Sequence, residues 1–442
     1  MLIILTLSLV THFSYFGQPN ETVFDEVHFG KFVNGYLTGE YFFDIHPPLG
    51  KLILSGAGYL SGFEPGFSFA DIGDVFPDKQ YMALRFLPTL AGLFLPLVIY
   101  FLALRLGLSR RGSFLAAIFI VFENALNIQS RFILLDSFLL LFGFLSIWFY
   151  LKFRSCQRYR WLLGAGIFAI LAGAIKWTGL GFLAVILAFQ FWELIVKRNF
   201  ARLFSNFLYL FLIPSAIYVL IFALHLQLLP KSGTGDAFMS LGFQKTLLNN
   251  HYQNDDTIKP INFFEKFIEL NVQMYGSNQR VTAHHPYGSK WYSWPFLIRP
   301  VYFWNDSQGP GQVERKIYLL GNPFVWWAST VAMLLMLMNF GRNLIKRIKP
   351  ELGPKIILSG FFINLLPFIG IGRVMFIYHY FVSLIFAILA LAYLIDKANK
   401  KRLNALFIVF SIMLFFYFAA LTYGLPVSPQ EQNLLFWLPT WR

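Results

Sequence analysis

The run ALRFLPTLAGLFLPLVIYFLAL, residues 83–104, carries a single charge, Arg85, and decides the class of fold. A helix of such length spans about 30 Å, the thickness of a bilayer's hydrocarbon core. Ten further apolar runs resemble it, so the expected spans are 1–16, 83–104, 112–129, 132–151, 161–176, 178–196, 204–228, 319–340, 355–371, 374–395 and 404–424. Composition agrees: 57% of residues are apolar, 53 are Phe, only 13% are charged, and the mean hydropathy is +0.57, which excludes a water-soluble globule. The expectation is an all-α polytopic membrane protein of about 11 transmembrane helices.

Short basic loops orient these spans, because Lys and Arg are retained on the cytoplasmic side during insertion. Arg105, Arg110 and Arg111 follow the second span, and Lys152, Arg154, Arg158 and Arg160 the fourth. Lys197, Arg198 and Arg202 follow the sixth, Arg342, Lys346, Arg347 and Lys349 the eighth, and Lys397, Lys400, Lys401 and Arg402 the tenth. With these inside, the N-terminus is cytoplasmic, and the polar segments near 17–82 and 229–318 are external. The net charge of +14 then reads as a topological signal with an attraction to anionic inner-leaflet lipid, and no nucleic acid is expected as a partner. The first apolar segment lacks a basic flank and a small-residue cleavage site, so it is expected to stay as a span. Cys156 is the only cysteine, which excludes an intrachain disulfide and a Cys-based metal site.

Four cations break the orientation rule. Arg85, Arg131, Lys176 and Arg373 all map to the outer membrane surface, where a cation calls for an anionic partner: Asp25, Glu26, Asp44, Asp136 or a bound phosphate. Phe24-Asp25-Glu26-Val27-His28-Phe29-Gly30 follows the first apolar segment. Phe24, Phe29, Phe32 and Val33 recur at helical spacing, and Pro47-Pro48 can start a second helix through Leu49, Leu52, Ile53 and Leu54, so the first external loop is expected to form amphipathic helices on the membrane. Neighbours on a helix differ by about 100°, which sends Asp25 and Glu26 to different partners, one able to act as base and the other to hold. Asp44 and His46, with Lys51 one turn into the next helix, form a second polar set. A third is His284-His285-Pro286-Tyr287-Gly288-Ser289-Lys290-Trp291, and His379 lies just inside the tenth span.

Seven stretches in order, Phe24–Phe32, Tyr41–Lys51, Ala83–Pro88, Gln129–Ser137, Lys176–Gly179, the His285–Pro300 region and Phe376–Tyr380, resemble the protein O-mannosyltransferases of glycosyltransferase family 39, in the GT-C membrane superfamily. The resemblance implies a GT-C-type bundle and a donor of mannose on a polyprenyl (dolichyl-type) phosphate. The acceptor would be a Ser or Thr hydroxyl of a polypeptide emerging from a translocon, and transfer would occur with inversion on the external face. By motif match Asp25 is the catalytic base, and Glu26 holds the acceptor or orders the site. Arg85, Arg131, Lys176 and Arg373 would receive the donor phosphate; His46, Lys51 and His379 would contact phosphate or sugar; His285, Tyr287, Lys290 and Trp291 would meet the acceptor. No cofactor is required by the resemblance, and Asp25, Glu26 and His28 are the set that would hold a divalent metal if one bound.

Eukaryotic members of that family insert a β-trefoil in the large external loop, and about 90 residues at 229–318 leave no room for its three repeats. The chain therefore resembles the shorter bacterial or archaeal members, which implies a multi-pass protein of the plasma membrane. Its expected organisation is a catalytic membrane module at 1–228, an external segment at 229–318, and C-terminal helices with an external tail at 319–442. Competing readings are a GT-C transferase of another sugar or to a lipid or glycan acceptor, a secondary transporter or flippase, and an inactive scaffold. Charges gathered at one surface without internal repeats argue against transport.

Overall fold

Apolar runs become helices in the structure, a computed structural model that describes residues 1–197, 202–307 and 313–442. α1 (Leu2–Phe13) precedes α2 (Glu26–Thr38) and α3 (Leu49–Ser61), and then come α4 (Tyr81–Arg105), α5 (Arg110–Val121), α6 (Asn124–Ser130), α7 (Asp136–Cys156), α8 (Tyr159–Ile175) and α9 (Leu180–Lys197). α10 (Leu203–Phe207) and α11 (Ile213–Leu228) join through a π-turn, and α12 (Leu241–Gln244) and α13 (Phe263–Arg280) occupy the second polar segment. α14 (Pro323–Ile345), α15 (Leu352–Leu365), α16 (Phe381–Ala398), α17 (Lys401–Tyr417), α18 (Ala419–Tyr423) and α19 (Pro429–Leu435) follow. Arg198 of the expected basic loop lies outside the described residues.

Helix stands at each of the eleven expected places. Among the described residues, seven helices are long and apolar enough to cross a membrane alone, and α5 with α6 makes an eighth if the bent pair is one span. α1, α8 and α17 have 12, 17 and 17 residues, short of the roughly 20 needed for a full crossing. The 61° bend between α5 and α6 has a local cause. Buried Glu123 sits at the break, where its carboxylate accepts the N–H groups of Leu126 (2.8 Å) and Asn322 (2.7 Å) and so starts a new helix in place of continuing the old one.

The chain is mostly helical, as expected, and adds one small sheet. β1 (Val301–Ser307), β2 (Glu314–Leu319) and β3 (Pro426–Val427) form an antiparallel sheet in the order β1-β2-β3, with a bulge between Tyr302 and Trp304. Val301 and Phe303 alternate inward, as a half-buried strand requires, and Phe303 stacks on Phe24 with ring centroids 4.1 Å apart. The two helices expected in the first polar segment form, with Asp25 at the start of α2 and Pro48 immediately before α3. Gly30 lets α2 lie directly on the Phe69 ring: a Cβ there would come within 2.2 Å of it.

Three of the expected ligand cations are spent on the fold. Arg85 is fully buried and uses all five of its N–H groups. Nε and Nη2 donate to Glu26 at 2.7 and 2.6 Å, Nη1 donates to the carbonyls of Gly17 (3.1 Å) and Pro19 (2.7 Å), and Nη2 also donates to Glu21 O at 2.7 Å. Glu26 accepts the N–H groups of Val23 and Ile133 as well, both at 2.9 Å. Arg85 therefore has no donor left for a phosphate, and Glu26 faces protein, not acceptor. Arg131 donates to Thr422 O (3.3 Å), Ser14 O (3.0 Å) and Tyr15 O (2.8 Å) and lies over the Tyr423 ring, so it ties the first segment to α18. Lys51 is buried against the Asp44 carboxylate, His46 O (2.7 Å) and Pro47 O (3.2 Å), closing the turn that feeds α3.

Two outcomes follow for purified protein in detergent. Glu26→Ala leaves the Arg85 guanidinium buried without a counter-charge and should cost about 3–5 kcal/mol, read as a large fall in the thermal unfolding midpoint. Gly30→Val overpacks α2 against Phe69 and should cost about 1–3 kcal/mol by the same readout.

Candidate active site

A cavity of about 250 Å³ opens where the N-terminus of α7, the elbow between α8 and α9, the end of α13 and the turn before α16 converge. The elbow arises because Lys176 is extended (φ −146°, ψ 144°) and Trp177–Gly179 form one 3-10 turn, which points the lysine into the cavity. Its ammonium bonds both oxygens of Asp136 at 2.9 and 2.8 Å, and Gln129 Nε2 steadies that carboxylate from behind at 2.7 Å. Two protons of Lys176 are thus engaged and a third is available.

Arg373 approaches from the turn between α15 and α16. Its Nε donates to Val374 O at 3.2 Å and Nη1 to Asn278 Oδ1, while Nη2 has no protein acceptor among the described residues. Asn278 in turn donates to Ile45 O at 3.1 Å, fixing α13 to the segment that carries His46. His46 lines the same cavity, where burial, and after it the charges of Lys176, Lys51 and Arg373, pull its pKa down to about 3 against the opposing pull of Asp44. It is therefore a neutral imidazole suited to a hydroxyl. His379, also in the wall, sits parallel to the Trp294 and Tyr378 rings with Nδ1 2.9 Å from Phe376 O.

Asp25 is partly exposed, and its carboxylate has no hydrogen-bond partner among the described residues. Burial pushes its pKa up to about 6, with the charges of Asp136 and Asp44 adding to the rise and those of His28 and Lys176 opposing it. Its aim is set by both neighbours. Phe24 is held in the left-handed region (φ +48°) by the Phe303 stack and a 3.1 Å bond from its N–H to Phe303 O, and Glu26 is locked on Arg85. His28 is exposed and Glu26 faces the opposite way, so the trio considered for a metal does not converge. Among the described residues there is no group of three or more His, Cys, Asp or Glu that could hold one.

Next to the cavity lies an open cleft of about 560 Å³ lined by His285, Lys290 and Trp291. Phe368, Ile371, Arg373 and Met375 belong to both walls, which makes Arg373 the partition between the two spaces. Tyr287, expected with these contacts, instead stacks on Tyr302 of the sheet (5.9 Å) and under Arg299 (5.9 Å), because strand burial claims its ring. The structure thus gathers Lys176, Arg373, His46 and His379, with Asp25 beside them, and diverts Arg85, Arg131, Lys51, Glu26 and Tyr287 elsewhere. It adds Tyr275, Asn278 and Gln279 of α13. The sequence signal for that helix is the capping box of Asn262 and Glu265 followed by apolar residues at helical spacing.

Residues 2–230 match the family model described as dolichyl-phosphate-mannose-protein mannosyltransferase, and residues 263–441 match the C-terminal four TMM region of protein-O-mannosyltransferase. The chain is 35% identical over 283 residues to dolichyl-phosphate-mannose--protein mannosyltransferase 4 of Candida albicans, covering 59% of this chain and 37% of that protein. It is 34% identical over 339 residues to protein O-mannosyltransferase 1 of Drosophila pseudoobscura pseudoobscura, covering 73% of this chain and 36% of that protein. It thus spans little more than a third of the length of these two curated relatives. The S. cerevisiae protein O-mannosyltransferase Pmt1-Pmt2 complex bound to the sugar donor shares the fold, with a TM-score of 0.91 at 22% identity over 100% of this chain and 92% of that one. An Archaeoglobus fulgidus oligosaccharyltransferase is more distant, at 0.53 and 14% identity over 99% of this chain and 54% of that one. By its sequence over both halves, the chain belongs to the protein O-mannosyltransferase family.

Proposed function

We propose that the chain transfers mannose from a polyprenyl-phosphate mannose to Ser or Thr hydroxyls of translocated polypeptides, at the external face of the membrane, which is the plasma membrane if its source is a prokaryote. The observation that carries this reading is the company Asp25 keeps: a carboxylate with no hydrogen-bond partner among the described residues, outside the cavity wall but within the field of its two cations, Lys176 and Arg373, which retain unspent donors. The relatives named for dolichyl-phosphate mannose and protein acceptors support it.

The steps follow from those groups. The donor phosphate lies against Lys176 and Arg373, and the acceptor hydroxyl enters from the cleft of His285, Lys290 and Trp291. Asp25 takes the hydroxyl proton as the acceptor oxygen bonds the anomeric carbon, while the bond from that carbon to the phosphate oxygen breaks on the opposite face and leaves its electron pair on the phosphate. Fixed cations stabilise that charge without reorganising. Neutral His46, together with His379, orients sugar hydroxyls. No metal enters this scheme, so a chelator should leave the rate unchanged.

Assay of purified protein with polyprenyl-phosphate mannose and a Ser/Thr-rich peptide tests the reading; transfer to a lipid or glycan with none to peptide would overturn the protein acceptor. Asp25→Asn should lower kcat by roughly 10²–10⁴-fold with the unfolding midpoint retained. Because the base works only when ionised, transfer should be lost as pH falls through about 6, dropping about tenfold per unit below it. Lys176→Ala and Arg373→Ala should each cost roughly 10²–10³-fold in kcat, whereas Arg85→Lys should act first on stability.

A further inference from the structure

A second cavity, of about 850 Å³, opens between α9, α14 and α15; it runs along α15 from Leu352 to Ile363, and its charged rim lies at the end of α15 remote from the active site. Its walls are apolar, with Trp192 of α9 and Leu344 of α14 more than half exposed across the gap. Along α15, Lys355, Ser359 and Phe362 line it at positions i, i+4 and i+7, so one helix face runs from a cation at the rim to a ring inside. Lys349 completes the basic rim.

These two lysines lack the partner that their surroundings suggest. Glu351 lies between them in sequence, but its carboxylate accepts from Tyr393 Oη at 2.7 Å and pairs with Lys397 at 3.0 Å on the far side. Glu193, the carboxylate in the cavity wall, is paired with Arg154. Neither Lys349 nor Lys355 has an ion-pair partner among the described residues. A large apolar cleft with two unneutralised cations at its mouth fits a molecule with hydrocarbon tails and an anionic head. That head is not the donor phosphate: Asn364, the residue of α15 in the wall of the active-site cavity, is nine residues beyond Lys355, about 14 Å along the helix.

We propose that this cavity binds one anionic glycerophospholipid from the leaflet opposite the active site, its acyl chains between α9, α14 and α15 and its phosphate on Lys349 and Lys355. Native mass spectrometry of the full chain in neutral detergent tests it with equimolar phosphatidylglycerol and phosphatidylcholine of matched chains. Wild type should retain one phosphatidylglycerol with a preference of about tenfold or more. Lys349→Glu with Lys355→Glu should abolish the preference, and Ser359→Trp, which fills the cleft and keeps both lysines, should abolish retention of either lipid, with elution volume and unfolding midpoint showing that each variant is folded. Equal retention of the two lipids by wild type, or an unchanged preference in the double variant, overturns the proposal. Displacement of phosphatidylglycerol by equimolar polyprenyl phosphate also overturns it, by assigning the cleft to an isoprenoid. The wild-type competition alone decides the matter if a variant does not fold.

Discussion

Glu26 and Arg85 meet with no access to solvent, and the architecture around the first polar segment is built on that meeting. Removing both charges from water costs several kcal/mol per ion, which is recovered only when every remaining proton and lone pair finds a partner. The pair meets this condition by drawing in the carbonyls of Gly17, Pro19 and Glu21 and the N–H groups of Val23 and Ile133. Four of those groups lie on the stretch 17–23 and the fifth on the link from α6 to α7, so satisfying two charges ties the first polar segment and the start of α2 to the N-terminal end of α4 and to that link. The rings of Phe76, Tyr81 and Phe132 around the guanidinium, at 5.4, 4.8 and 5.0 Å, keep water out and add cation–π attraction.

That clamp also creates the free carboxylate next to it. Glu26 turns inward, so the next residue back along the helix points about 100° away. On its other side Phe24 is held in a left-handed conformation that costs about 1–2 kcal/mol, offset by its stack on Phe303. Asp25 is therefore aimed by a helix clamp and by a sheet, its carboxylate without a hydrogen-bond partner among the described residues. An acidic dipeptide in sequence becomes one carboxylate locked into the fold and one left unpaired, the proposed base, because each is claimed from a different direction.

Hydrophobic runs made the eleven helical places legible, since a bilayer-length stretch leaves little choice of structure. The sheet was not legible: Val301–Ser307 is short, sits in a polar segment, and its aromatics look like an interfacial belt until their alternation is seen against β2. The four misplaced cations were visible as misplaced. Which of them face a cavity was not, because Arg85 is used up by Glu26 and nearby carbonyls and Arg131 is buried against carbonyls far away in sequence, such as that of Thr422. Lys176 and Arg373 escape this because the extended elbow and the turn at 371–376 hold them at a cavity wall. Asn278, which positions Arg373, gave only the signal of a well-capped amphipathic helix.

The charges at the cavity are balanced so that the proposed base and the proposed phosphate site act on one another. Asp136 holds Lys176 in place and lowers its net positive field, and together with Asp44 it raises the pKa of Asp25. An arriving phosphate adds another anion to this group and would raise Asp25 further, toward the protonated form that cannot act as base. Arg373 opposes that effect from the wall shared by cavity and cleft, where its free Nη2 can meet the phosphate. On the proposed mechanism its charge has two consequences at one position: it stabilises the leaving phosphate, and it favours the ionised form of Asp25 while the donor is bound.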